Sequence, residues 1–470
     1  MIPWDKLREE CGVFGIQTEE AAAPYLHLGL YALQHRGQES AGIATFDGRE
    51  VHLVKAMGLV AQIFTPDRLA ALPGPIGVGH VRYSTMGGAR LENAQPFLEP
   101  TPWGTLALAH NGNLINAPLL RAELEQAGCR FQATSDTEVI TKLIATAPAK
   151  MLEEAVAYCM ERIVGAYTIV AMIGDTLMAF RDAHGIRPLA MGRLGAGIVF
   201  ASESCAFDHI GAESEREVGP GELLLAGAGG LRSIQVLPVV RRASCVFEYI
   251  YFARPDTVLE SLNVHHVRRR MGRVLAQEHP ASADIVIAVP DSGTSAALGF
   301  AEASGVALEI GLIKNRYVGR TFIQPDPSMR DFGVRVKLNP VRDVIAGRRV
   351  VLVDDSIVRG TTSRQIVRML RHAGAREVHV RISSPPIQNA CFYGIDTSNR
   401  GELVAARLSV EEIRREIDAD SLGYLSVPGL IEALALPRRD LCLACLTGAY
   451  PTETPTETTA GRFALEAQRA

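Results

Sequence analysis

Twice in the second half of this chain an unbroken apolar run ends in a loop that opens a helix. Ile285-Val286-Ile287-Ala288-Val289 leads into Pro290-Asp291-Ser292-Gly293-Thr294-Ser295 and a helix expected over 296–303. Val350-Val351-Leu352-Val353 leads into Asp354-Asp355 and a helix with Ile366, Met369, Leu370 and Ala373 on one face and Gly374 as its C-terminal cap. Val378-His379-Val380-Arg381-Ile382 reads as the next strand. A strand with one wet face alternates polar and apolar residues. A run without alternation is covered on both faces, as parallel strands are. Open parallel sheets bind ligands beyond the carboxyl ends of their strands, so chemistry is expected in the two loops.

The chain has 470 residues, more than one hydrophobic core organises, so at least two domains are expected. Residues 11–240 form the first. Tyr25 to Leu33 reads as an amphipathic helix. Thr134-Ser135-Asp136-Thr137-Glu138 caps another that carries Val139, Ile140, Leu143 and Ile144. Tyr167 to Met172 and Ile198 to Ala201 read as strands of a layered α/β sandwich, with a turn at 227–230. Residues 241–470 form the second domain. Its tail, from about Pro451, is rich in Thr, Glu and Pro and is expected to be mobile.

Several function classes drop out. A net charge of −4 lacks the basic excess of a nucleic-acid binder. No apolar run reaches the ~18 residues that span a bilayer, and Met1 to Glu10 lack the apolar core of a secretory signal. The expected location is the cytoplasm. Eight cysteines scattered over this length do not resemble a secreted disulfide framework.

The stretch Val351-Leu352-Val353-Asp354-Asp355-Ser356-Ile357-Val358-Arg359-Gly360-Thr361-Thr362-Ser363 delivers two carboxylates to the exposed end of a buried strand. A glycine then permits close backbone approach, and hydroxyls open a helix whose N-terminus favours anions. Two carboxylates beside a phosphate cradle suit a sugar's vicinal hydroxyls and a magnesium ion. The nucleoside-triphosphate pattern Gly-x-x-x-x-Gly-Lys is absent. The stretch resembles the donor loop of type I phosphoribosyltransferases. That resemblance implies Asp354 and Asp355 at the ribose hydroxyls and metal of 5-phosphoribosyl-1-diphosphate, and Ser356, Ile357, Val358, Arg359, Gly360, Thr361 and Thr362 around its 5-phosphate. It also implies a diphosphate loop at 290–294 with Ser292 as a further magnesium ligand. Lys314-Asn315-Arg316-Tyr317-Val318-Gly319-Arg320 becomes a lid, with Lys314 at the diphosphate.

Cys11 stands where a polar leader meets an apolar, glycine-punctuated strand. Exposed as a new N-terminus, it would carry a thiol and a free α-amine (pKa ~8) able to act as its base. Taken alone it reads sooner as an ordinary core cysteine opening a strand; the rest of the first half of the chain reverses that. The segments 34–42 (Gln-His-Arg-Gly-Gln-Glu-Ser-Ala-Gly), 80–85, 110–113 (His-Asn-Gly-Asn) and 135–138 follow it in order. This set resembles the N-terminal-nucleophile glutamine amidotransferases. With the donor loop, the chain from Cys11 to about Pro451 resembles the amidophosphoribosyltransferase family. The implied fold is a four-layer αββα glutaminase domain followed by a type I phosphoribosyltransferase domain. The implied roles are Cys11 as nucleophile, Asn111 and Gly112 as oxyanion donors, Arg82 at the glutamine carboxylate and Asp136 at its ammonium. Arg36 and Gly37 support the new N-terminus, and residues 1–10 are a propeptide cut between Glu10 and Cys11.

Cys442-Leu443-Ala444-Cys445 is a Cys-x2-Cys pair, with Cys245 and Cys391 far upstream. Alone, the pair is equally half of a zinc site. These contexts resemble the branch of the family that holds a [4Fe–4S] cluster through four thiolates. Cys129, Cys159 and Cys205 fit no pattern and read as core filler. The resemblance implies ammonia passed from glutamine to displace diphosphate, giving 5-phosphoribosylamine in the first committed step of purine synthesis. It also implies purine-nucleotide inhibition and a homotetramer. A glucosamine-phosphate amidotransferase would lack the Asp354-Asp355 loop. A regulatory protein that only senses the phosphoribosyl donor would have no use for Cys11, Asn111 and Asp136.

Overall fold

The computed structural model describes residues 11–84, 86–315, 337–395, 397, 400–454 and 465. The leader 1–10, residues 316–320 of the expected lid and most of the tail lie outside the described residues.

The first unit is two antiparallel sheets packed face to face. One has seven strands in the spatial order Glu213–Glu217, Ala190–Leu194, Gly197–Ala201, Gly12–Gln17, Ile76–Arg82, Ser40–Phe46 and Val51–Met57. The other has six, in the order Gly230–Gln235, Glu222–Gly227, Thr176–Arg181, Gly165–Ile173, Gly104–Leu114 and Phe97–Thr101. Alternation along Gly12–Gln17 sends Val13 into the core between the sheets and Phe14 outward against the helix Ala22–Ala32. That helix comes close because Gly29 faces Phe14: a Cβ there would lie 2.6 Å from the ring. Helices Ala117–Gln126, Asp136–Ala145 and Leu152–Arg162 cover the other sheet, burying Leu120, Ile140 and Val156 with Ile169 and Phe180. The result is the four-layer αββα sandwich that the motifs imply.

The second unit holds a four-stranded parallel sheet in the order Ile285–Ala288, Arg349–Asp354, Glu377–Ile382 and Ser421–Tyr424. Its apolar runs are continuous for the expected reason. Val286, Val351 and Val353 enter one core with helix Val264–Glu278, while Ile285, Ile287, Val350 and Leu352 enter another with helix Thr361–His372. The helix expected over 296–303 runs from Thr294 to Ser304. On Thr361–His372 the buried apolar face is Ile366, Val367 and Leu370, and Met369 is only half-buried. Gly374 follows with φ +96°, a left-handed conformation suited to glycine.

The tail departs from expectation at one point. Leu465 is fully buried among residues of the outer helices and the six-stranded sheet. Of the three leftover cysteines, Cys159 and Cys205 are fully buried and Cys129 half-buried. Among the described residues no helix is long and apolar enough to cross a membrane.

Candidate active site

Cys11 immediately precedes the central strand of the seven-stranded sheet, which is paired along both edges, and the next residue, Gly12, is registered against Val81. Its thiol donates to the Tyr83 carbonyl at 3.2 Å. It lines a small cleft with Arg82, Tyr83, Met86, Gln95, His110, Gly112, Ser135 and Asp136. Burial pushes the thiol up to about 11; Arg82 pulls it down, while Glu39 and Asp136 raise it further. At neutral pH the sulfur is therefore protonated and needs a base.

Each expected partner arrives on its own element. Asp136 opens the helix Asp136–Ala145, whose N-cap Ser135 accepts from Thr137 N. Its carboxylate accepts from Leu114 N at 3.0 Å and lies 3.8 Å from His110 Nδ1. A carboxylate at a helix N-terminus is favourably placed, and in this cleft it also offers charge to a cation. Arg82, at the end of a buried strand, is braced by Ser84 Oγ at 2.7 Å and the carbonyls of Met86 and Gly88 at 3.0 and 3.2 Å. Arg36 and Gly37 sit behind the nucleophile. Arg36 Nε donates to the Cys11 carbonyl at 3.0 Å. A Cβ on Gly37 would lie 2.6 Å from the Arg82 backbone.

Asn111 and Gly112 lie near the end of the strand Gly104–Leu114. Gly112 has φ +149°, and a Cβ there would fall 2.0 Å from the Ala166 carbonyl oxygen, so the position admits only glycine. Asn111 stands beside the cleft, and its buried Nδ2 has no hydrogen-bond partner among the described residues. An unsatisfied buried donor costs about 1–3 kcal/mol, a cost that a ligand oxygen would remove. His110, Gln95 and Tyr83 were not singled out from sequence. For His110 the signal was its place beside Asn111; burial lowers its pKa and keeps the ring neutral.

The second cluster lies at the carboxyl ends of the parallel strands. Val289 N donates to the Val353 carbonyl at 2.9 Å, joining the loop that carries Ser292 to the strand that ends at Asp354. Gly293 fits between, since a Cβ there would meet the Val353 oxygen at 2.5 Å. The Pro290–Asp291 peptide is cis. Asp354 and Asp355 are buried; Asp354 accepts from Asp355 N at 2.9 Å and Asp355 from Ser356 Oγ at 2.6 Å. Gly360, at φ +88°, turns the chain into Thr361–His372, presenting the backbone at Thr361 and Thr362 at a helix N-terminus. Not every residue of the loop offers its side chain: Ile357 and Val358 are buried in apolar cores, and Arg359 pairs with Glu402. These three present only main chain to the loop. Lys314 Nζ lies 2.7 Å from Asp291 Oδ2, over the Ser292 loop.

The third cluster is four thiols. Cys245 and Cys442 are opposite one another in a parallel strand pair. Cys445 follows one turn on, its carbonyl accepting from Gln388 N and Asn389 N at 3.0 Å, which brings in the segment with Cys391. All four are buried. Burial first, then the charges of Cys391, Cys442 and Cys245, push Cys445 well above the ordinary thiol range, and Cys442 rises to about 12. Cys391, Cys442 and Cys245 all bear on Cys445, so the four thiols share one buried place, a soft donor set of the kind that iron–sulfur clusters and zinc take. Among the described residues no three His, Cys, Asp or Glu side chains are arranged to hold a single metal ion.

The sandwich with its thiol cleft defines a glutamine amidotransferase, carried on one chain with a parallel-sheet unit of the phosphoribosyltransferase kind. The family described as "Glutamine amidotransferase domain" matches residues 80–209. The amidophosphoribosyltransferase of Bacillus subtilis is 51% identical over 452 residues, 95% of each chain. That of Methanothermobacter thermautotrophicus is 47% identical, covering 97% of this chain and 98% of its own. A solved structure, glutamine phosphoribosylpyrophosphate amidotransferase from B. subtilis complexed with ADP and GMP, superposes with a TM-score of 0.92 at 49% identity. The match covers 96% of this chain and all of that one. The chain belongs to the amidophosphoribosyltransferase family.

Proposed function

We propose that this protein carries out the reaction its family is named for, with ammonia made at Cys11 and consumed at Asp354-Asp355. The observation that carries the reading is the presence of both clusters on one chain. Neither a glutaminase nor a sugar-phosphate transferase alone has use for both.

In the first site the Cys11 sulfur attacks the side-chain amide carbon of glutamine. Its proton goes to the leaving nitrogen, ammonia departs, and water then splits the thioester to glutamate. The Cys11 nitrogen is an amide while residue 10 is attached and cannot accept that proton. Removal of residues 1–10 turns it into the amine that can. Asn111 Nδ2 and the Gly112 N–H stabilise the oxyanion, each such donor typically worth ~3 kcal/mol of barrier. Arg82 meets the substrate carboxylate and Asp136 its ammonium.

In the second site ammonia attacks C1 of 5-phosphoribosyl-1-diphosphate and diphosphate leaves. Asp354 and Asp355 hold the ribose hydroxyls, the main chain of residues 356–362 holds the 5-phosphate, and Ser292 and Lys314 meet the diphosphate. Asp354, Asp355 and Ser292 would hold magnesium, which when bound screens the diphosphate's charge as it departs. Few protein ligands suit it, because magnesium keeps waters and is shared with substrate phosphates. Cys245, Cys391, Cys442 and Cys445 would hold the [4Fe–4S] cluster as a structural brace. Purine nucleotides as inhibitors, a homotetramer and a cytoplasmic location complete the proposal. The B. subtilis relative was solved with two such nucleotides.

The test is stoichiometry. With both substrates and magnesium, glutamate and diphosphate should form one for one. Diphosphate release indifferent to glutamine would end this reading.

A further inference from the structure

A line of buried charge runs from the residue that opens the amide-cleaving site to the loop that carries Cys391. Arg36 Nε donates to the Cys11 carbonyl at 3.0 Å. The same guanidinium meets Glu248 with Nη1 at 2.9 Å and Nη2 at 2.7 Å, and its Nη1 meets Glu203 at 2.5 Å. From the far side Arg187 Nη1 approaches Glu248 Oε1 at 3.5 Å. Arg187 Nε and Nη2 then donate to the Tyr393 carbonyl at 2.9 and 2.7 Å, and Nη1 lies 3.7 Å from Cys245 Sγ. None of Arg36, Glu203, Glu248 and Arg187 is more than 2% exposed.

The same loop touches the oxyanion strand. Asn113 Nδ2 donates to the Phe392 carbonyl at 2.9 Å. A Cβ on Gly394 would lie 3.4 Å both from the Gly112 carbonyl carbon and from Arg187 Nη2. The loop therefore reaches both halves of the first site: the nucleophile through the ionic line, and the strand that carries the oxyanion donors directly.

Buried ions are costly to desolvate, and apolar side chains of like volume hold domains together as well or better. What two arginines and two carboxylates add is direction: each fork fixes its partner's orientation as well as its distance. We propose that Arg187 is a positioning residue for amide cleavage. It sets Glu248, and through it Arg36 and the Cys11 main chain, against the Cys391–Gly394 loop, so the aim of the Cys11 sulfur depends on a residue that never meets glutamine. This rests on Cys11 being the nucleophile.

The test uses the full-length enzyme with Arg187→Gln and Arg187→Lys. Each is assayed with glutamine and with ammonia at high pH. Alkylation by a diazoketone analogue of glutamine is timed, and the labelled residue is identified by mass spectrometry. Arg187→Gln should lower kcat with glutamine and the alkylation rate together, by tenfold or more. KM for glutamine should move less than threefold, and ammonia-driven synthesis should stay within twofold of the parent. Arg187→Lys keeps the buried charge, so the fold tolerates it more readily. A lysine has a single amine in place of the planar fork and cannot repeat its paired contacts, so it should change the same quantities in the same direction. Unchanged alkylation in a folded variant overturns the proposal. So does equal loss of both activities, or failure of both variants to fold, since either makes Arg187 a structural residue only. Labelling of a residue other than Cys11 in the parent would instead count against the nucleophile assignment.

Discussion

Cys245 faces Cys442 across a parallel ladder two residues long, Ser244 opposite Leu441 and Cys245 opposite Cys442. A ladder that short contributes little by itself, since sheets this small are marginal in water. It puts two thiols from distant parts of the chain in one buried place, where Cys445 and Cys391 join them.

If a cluster closes that place, Cys442→Ser should lower both iron and acid-labile sulfide in anaerobically purified protein, and lower the unfolding temperature by several degrees. Metal analysis and a thermal scan on the same sample check this. Zinc at one per chain, without sulfide, would replace the cluster with the other metal that thiols favour.

Cys11→Ala should abolish glutamine-dependent turnover and leave synthesis from added ammonia at high pH, because the parallel-sheet site lies elsewhere. Loss of both activities together would mean the two chemistries are not divided as argued. Intact mass of the purified parent tests the amine: active protein should begin at Cys11.

Asn111→Ala should cost 10²–10³ in kcat for glutamine hydrolysis, about 2.7–4 kcal/mol, with KM changed far less. Its buried Nδ2 has no partner among the described residues, so removing it breaks no native hydrogen bond of that atom. Stability should hold or rise slightly. A marked fall in unfolding temperature would show that the side chain holds the strand instead.

Asp355→Asn should do the converse of the Cys11 change: basal glutamine hydrolysis persists and synthesis from either nitrogen source is lost. Diphosphate release measured with ammonia decides it, and retained synthesis would remove this carboxylate from the donor site.

Burial alone would raise the Glu203 carboxyl, but His35 and Arg36 prevail and hold it well below its ordinary value of 4.5. A carboxyl depressed on folding lends stability at pH above its unfolded value and loses it as pH falls toward the folded one. The parent's unfolding temperature should therefore drop as pH is lowered from about 5 to about 3. Glu203→Gln should start lower at neutral pH and fall less over that window. Parallel curves would assign the acid sensitivity to other groups.

Much of this protein could be read along the chain. The parallel strands at 285–289 and 350–353 announce themselves because burial on both faces leaves no room for polar alternation, whereas 378–382 alternates and is placed by following them. The loop at 354–363 announces itself because carboxylates, glycine and hydroxyls must follow such a strand in that order. Cys11, Asn111 and Asp136 were legible as a set, each within a short motif. What no local pattern holds is who meets whom across hundreds of residues. Arg187, Glu203 and Glu248 look like any surface charges in sequence. That Arg359 turns to Glu402, that Leu465 is buried rather than mobile, and that Cys245 stands beside Cys442 were decided only by packing. Secondary structure answers to residue periodicity over a few turns. Ion pairs, shared pockets and the direction of a buried side chain answer to tertiary distances, and those exist only once the cores have closed.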